Sequence, residues 1–179
     1  MVDLWIEFVK ALLILLPAFA ANAFPPLAKG KRPIDFGKKL LGNRIFGDGK
    51  TIEGFILGTA AGFLVGAVET LLYPNLNAYA MQYGVTLPLM TMTVGFLISF
   101  GALIGDLVGS FFKRRFGLER GANVPFLDQW NFIVMAVLFS IWFTEISIWM
   151  FVIMLLTTLI VHRAANIIAH RLKIKREPW

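Results

Sequence analysis

Two carboxylates and a set of cations occupy positions where an apolar chain ordinarily carries no charge. Asp106 lies in the inner third of an apolar stretch, with Ser110 at i+4 and Lys113 at i+7, so the three share one helical face. Asp128 and Gln129 open a further helix at the same depth, since Pro125 is a natural helix start. Glu53 opens another beside Gly49-Lys50-Thr51. Ionisable groups inside membrane helices are costly and mark functional sites by default. Two carboxylates ringed by Lys and Arg suit a divalent cation carrying a polyphosphate. Mg2+ takes one or two carboxylates plus phosphate oxygens and water, and basic side chains neutralise the remaining phosphate charge. That composition points to nucleotide or phosphoryl chemistry at a lipid interface.

Each residue also has a plainer reading. Glu53 and Asp128 at helix N-termini would complement the helix dipole, and Asp106 would be made tolerable by pairing with Lys113 or Arg114. This leaves unexplained why acids and bases gather on one side while the other is almost bare. The run Gly47-Asp48-Gly49-Lys50-Thr51 imitates the end of a phosphate-binding P-loop, but Arg44 stands where that motif needs Gly and no buried strand precedes it. It remains a glycine-rich basic turn opening a helix, whose free N–H groups can bind phosphate.

The elements that must position these groups are membrane spans. Of 179 residues, 58% are hydrophobic and 16% charged, against roughly 45–50% and about 25% in soluble domains. That balance excludes an ordinary water-soluble globule and a disordered chain. With no Cys there is no thiolate nucleophile, thiolate-bound zinc, iron–sulfur cluster or disulfide. Apolar stretches cover 4–28, 52–73, 87–112 and 125–161. A span takes about 20 residues, so the first three cross once each. The last is too long for one span, and Phe143-Thr144-Glu145 interrupts it, which predicts two helices over roughly 125–143 and 146–168. The fold expected is therefore an all-α integral membrane protein with five transmembrane helices in one domain, 1–179.

Charge tests the count. Sixteen of the 17 basic residues fall in 29–50, 113–120 and the tail from 163, while 74–86 carries no charge and 143–145 only Glu145. The positive-inside rule then puts the N-terminus outside and the C-terminus in the cytoplasm, with cytoplasmic loops about 29–51 and 113–125 and a basic tail about 169–179. Lys10 is the exception and is expected to snorkel to the outer interface. No signal peptide is expected, because there is no basic n-region and no small-residue cleavage site. No nucleic-acid partner is expected either, since no recognition module accompanies the basic residues. Gly54, Gly58, Gly62 and Gly66, and likewise Gly101, Gly105 and Gly109, recur every four residues. They predict close helix packing, within the chain or across a homodimer, or room for a lipid. Pro17, Pro25 and Pro26 predict a kink or break in the first helix.

The run Gly105-Asp106-Leu107, Ser110-Phe111-Phe112-Lys113-Arg114, Gly117, Pro125, Leu127-Asp128-Gln129-Trp130-Asn131 resembles the signature of the CTP:phosphatidate cytidylyltransferases. Shortness, the glycine-rich segment 42–54 and the Leu-Asp-Gln variant make it most similar to the archaeal branch, the CDP-archaeol synthases. The resemblance implies transfer of CMP from CTP to an isoprenoid ether glycerophosphate, digeranylgeranylglyceryl phosphate, with release of pyrophosphate. It implies a multi-pass protein of the cell membrane whose site faces the cytoplasm. It implies Asp106, Asp128 and Lys113 as catalytic, with Asp106 and Asp128 holding Mg2+. Ser110, Lys113, Arg114, Gln129, Gly49, Lys50, Thr51, Lys38, Lys39 and Arg44 are implied to contact CTP or lipid phosphate, with Glu53, Asn131 and Arg120 as further candidates. The broad family usually has Arg in place of Gln129 and a second acid in place of Asn131, which offers a carbonyl oxygen but no charge for a second cation. Its His-Gly-Gly element is missing here, so recognition of cytosine is unassigned.

A competing reading is a small membrane transporter using Asp106 and Glu53 as intramembrane binding or relay acids. The acids lie near the inner face rather than the midplane, which weighs against it. His162 and Asn166 share a face near the inner end of the last helix, where they would either line the site or pack, and packing is the preferred reading.

Overall fold

In the computed structural model, which describes residues 3–119, 122 and 124–173, five helices carry most of the described residues. They are α1 (Leu4–Ala23), α2 (Ile52–Met81), α3 (Met92–Arg115), α4 (Leu127–Ser140) and α5 (Ile148–Arg171). A 3-10 turn, Pro25–Ala28, follows α1, and a two-stranded hairpin of β1 (Lys39–Leu40) and β2 (Asn43–Arg44) lies between α1 and α2.

Local chemistry sets most of the ends. Asp3, Thr51, Thr91 and Ser147 each accept an N–H of the first helical turn of α1, α2, α3 and α5, satisfying donors that would otherwise be orphaned. The consecutive Pro25 and Pro26 end α1, because neither offers the N–H the helix needs. Two expectations change. Helix α2 does not stop at Tyr73 but runs through Pro74 to Met81, so more than half of the predicted 74–86 loop is helical. Side chains of this extension fix the return of the chain: Asn77 Oδ1 accepts the N–H of Leu87 and the Tyr73 hydroxyl donates to its carbonyl. The expected fourth helix contracts to the 14 residues of α4, and the turn after it spans 141–147. Among the described residues four helices, α1 with its 3-10 turn, α2, α3 and α5, are long and apolar enough to cross a membrane, while α4 is shorter.

The core is built on α1, with Ala11, Ile14, Leu15 and Ala18 fully buried against Ile98, Phe132, Ile133 and Met154. The glycine stripes bring backbones together inside the chain. A Cβ on Gly62 would lie 2.6 Å from the Pro17 carbonyl, one on Gly66 2.5 Å from Gly95, and one on Gly105 2.3 Å from the Asn131 carbonyl. Both stripes are therefore consumed by α1, α3 and α4, and neither is on offer to a second copy. Outward, Leu64, Leu71, Leu156 and Ile160 are exposed along the helices. Aliphatic side chains turned out over whole helix faces are the pattern of a multi-pass membrane protein.

The 29–51 connection is ordered by one buried acid. Asp35 is 4% exposed and accepts from Arg44 Nη2 at 2.5 Å and from the N–H groups of Gly37, Phe46 and Gly47. Burial opposes its ionisation, but Arg44 and the three N–H groups outweigh it and hold the carboxyl well below the usual carboxylate range. A depressed folded-state pKa stabilises the loop above the unfolded value, about 3.9, and that contribution drains away as pH falls through the folded value. Asp35→Asn is expected to weaken the loop by about 2 kcal/mol at neutral pH. Amide exchange at Phe46 and Gly47 in nanodiscs should quicken accordingly, and the gap from wild type should narrow only below about pH 4.

Candidate active site

All five helices meet at a cleft of about 240 Å³. The last turn of α1 supplies Asn22 and the 3-10 turn after it Pro25 and Pro26, while the first loop gives Ile34, Gly49, Lys50 and Thr51. Gly54 and Phe55 come from α2, Leu103, Asp106, Leu107 and Lys113 from α3, Asp128 from α4, and His162 and Asn166 from α5. Two cross-element ion pairs organise it. Lys50 Nζ lies 2.5 Å from Asp106 Oδ2, and the Lys113 ammonium pairs with Asp128. Lys113 also donates to the Ala122 carbonyl at 2.7 Å. Asp128 Oδ2 accepts the Val124 N–H at 3.0 Å, so its carboxylate is aimed from both sides. These four side chains are only half-buried and remain within reach of solvent.

Asp106 is thus paired from the first loop rather than by Lys113 or Arg114 of its own helix. Asp128 is presented by a strained turn, since Phe126 just before α4 has φ 66°. A non-glycine residue there costs about 1–3 kcal/mol and persists where the surroundings enforce it. On the far wall, Asn166 Nδ2 lies 3.2 Å from His162 Nδ1, and Asn166 is buried. Among the described residues no three acids or histidines converge. A cation held here would have two carboxylates and would draw its other ligands from phosphate and water, a donor set that Mg2+ accepts.

The model of the family described as CarS-like, CDP-archaeol synthase, matches residues 1–179. The chain belongs to the CDP-archaeol synthase family. A CDP-archaeol synthase of Pyrococcus abyssi is 43% identical over 171 residues, covering 95% of this chain and 97% of that one. One of Methanopyrus kandleri is 43% identical over 178 residues, covering 98% and 95%. A solved structure, described as an intramembrane enzyme for archaeal membrane lipids biosynthesis, superposes with a TM-score of 0.76 at 39% identity, covering 89% of this chain and 94% of its own. The transporter reading finds no support in these relatives.

Within this CDP-archaeol synthase fold, six of the anticipated residues line the cleft: Gly49, Lys50, Thr51, Asp106, Lys113 and Asp128. The other described candidates are turned elsewhere. Arg44 is clamped between Asp35 and Asp48, and Lys38 and Lys39 are exposed on the hairpin. Arg114 donates to the Leu118 carbonyl, Gln129 caps its own helix through the Phe126 N–H, and Glu53 pairs with Arg32 at 2.8 Å. Asn131 packs against Gly105 and Gly109, and Ser110 does not line the cleft. Arg120 lies outside the described residues. Sequence reasoning passed over Asn22, although a lone amide in an apolar stretch three residues before a Pro-Pro break was a usable signal. For His162 and Asn166 it weighed a place in the site against packing and preferred packing; both line the cleft.

Proposed function

We propose that this chain transfers CMP from CTP to an isoprenoid ether glycerophosphate, giving a CDP-archaeol-type lipid and pyrophosphate. The observation that carries the reading is the cleft, where two half-buried carboxylates each hold a lysine at the meeting point of all five helices. The proposed topology is a single domain of five spans, with the N-terminus outside and the cleft, the loops about 29–51 and 113–125 and the tail facing the cytoplasm. CTP then arrives from water and the lipid phosphate from the inner leaflet.

An oxygen of the lipid phosphate attacks the α-phosphorus of CTP, and the bond from that phosphorus to the bridging oxygen of pyrophosphate breaks. A phosphate monoester is already an anionic nucleophile, so no general base is required. The barriers are repulsion between two anions and charge building on the leaving pyrophosphate. Lys50 and Lys113 are placed to bind those phosphates once they release their acids. Gly49 and Thr51 sit at the N-terminus of α2, where free N–H groups favour anions. Asp106 and Asp128 would hold Mg2+, which when bound supplies positive charge to the phosphate oxygens. All of this is positioning and electrostatics.

Radiolabelled CTP offered to detergent-purified protein with an isoprenoid ether phosphate should label the lipid phase, and EDTA should abolish the signal. Diacyl phosphatidate in parallel reports the tail preference. No label from monodisperse protein with either lipid would overturn the assignment. Lys50→Ala is expected to raise the KM for CTP about 10- to 100-fold, the worth of a charge-assisted hydrogen bond, read from initial rates across CTP concentrations.

A further inference from the structure

We infer that the β1–β2 hairpin is a membrane-surface contact, its Leu41 tip seated in the headgroup layer and held there by Lys38 and Lys39 facing anionic lipid. The register Leu40 to Asn43 leaves a two-residue turn, Leu41-Gly42, with φ of 49° and 84°. Positive φ at both central residues is the type I′ pattern, for which Asn-Gly or Gly-Gly is the ordinary choice. Leucine is a poor residue for that backbone and gains nothing from it, yet here its side chain is 86% exposed. Phe36, also at positive φ, is 71% exposed on the same loop. Neither apolar group helps the turn or the core, so their contact lies outside the chain.

Two observations choose the contact. The hairpin sits at membrane level, because Arg115, the last residue of α3, donates from Nη2 to the carbonyls of Asn43 and Arg44 at 3.2 and 2.7 Å. Leu41 is two residues from Asn43, which confines it to within about 7 Å of that tether. The charge around the tip is also of one sign. Lys38 and Lys39 flank it, while the loop's acids Asp35 and Asp48 are both taken by Arg44. A basic hairpin with an aliphatic tip beside an emerging helix fits an anionic bilayer surface. The inference uses only the membrane-spanning character of the helices and does not depend on the reaction.

The absence of Cys makes single-site labelling clean. Leu41→Cys, Asp48→Cys as a water reference and Leu64→Cys as a lipid reference would each carry a polarity-sensitive fluorophore, one copy of the protein per nanodisc. In discs containing anionic lipid, the Leu41 label should emit to the blue of the Asp48 label. It should lose most of its intensity to a headgroup-level nitroxide lipid, and the shift should shrink in purely zwitterionic discs or with Lys38→Gln and Lys39→Gln together. Emission matching the Asp48 label with no quenching would overturn the inference. So would a shift that appears only with two copies per disc, which would make a second copy the occupant.

Discussion

Asp106→Asn is expected to lower CMP transfer by 100-fold or more, about 3 kcal/mol, while the protein extracts and runs as wild type. The substitution keeps the shape of the side chain and removes only its charge, so packing of α3 should not change. What is lost is a carboxylate that holds Lys50 in the resting cleft and would hold Mg2+ during turnover. Asp128→Asn should behave alike, because Asp128 holds Lys113 in the same way from α4. Its amide can still accept the Val124 N–H, so the turn before α4 should survive. Label incorporation by each purified variant, with size-exclusion profiles as the check on folding, decides it. Near-normal turnover in either variant would remove that acid from the site.

The second large effect comes from a residue with no side chain. A Cβ on Gly105 would stand 2.3 Å from the Asn131 carbonyl oxygen and 2.7 Å from Phe132 Cα. Both obstacles are backbone, so nothing yields by a rotamer change. Gly105→Ala must push α3 and α4 apart, and those are the helices that carry Asp106 and Asp128. Overpacking of this kind costs about 1–3 kcal/mol of stability. A displacement of about 1 Å at a reacting centre can cost 100-fold in rate. The variant should therefore melt earlier in detergent and also lose activity at temperatures where it remains folded. Val108→Ala, three residues on, should do neither. Wild-type turnover in a folded Gly105→Ala variant would show that the separation of the two helices does not set the site.

Membrane character, five helices and the acids of the cleft were legible because each leaves a local signal. Apolar length, a proline or a capping Thr or Ser, and a charge in an apolar stretch are all read from a few neighbouring residues. The pairing of Lys50 with Asp106 was not legible in that way, since it joins a loop to a helix 56 residues away and depends on how the loop folds back. Arg44, Lys38 and Lys39 illustrate the same limit. Their sequence neighbourhood is basic and glycine-rich, yet Asp35 captures Arg44 and the hairpin turns both lysines away from the cleft. His162 and Asn166 looked like packing because their helix is apolar, and only the convergence of α1 and α5 gives them a shared cavity. Helix α2 outran its predicted end because a lone proline can bend a helix without ending it, and Asn77 and Tyr73 tie the extension to Leu87.

The shortness of α4 has a consequence for how two unlike substrates meet. Its 14 residues rise about 21 Å, some 9 Å less than a bilayer's hydrocarbon thickness. On the proposed topology its first turn is the cytoplasmic end, and a shortfall on that side would form a step with Asp128 on the sunken tread. Polar headgroups and water can follow the protein down at that point, as a meniscus follows a wall. A lipid phosphate would then reach the site by moving laterally, with its tails still in hydrocarbon, and a nucleotide would reach it from above, still hydrated. Neither substrate has to leave its own phase.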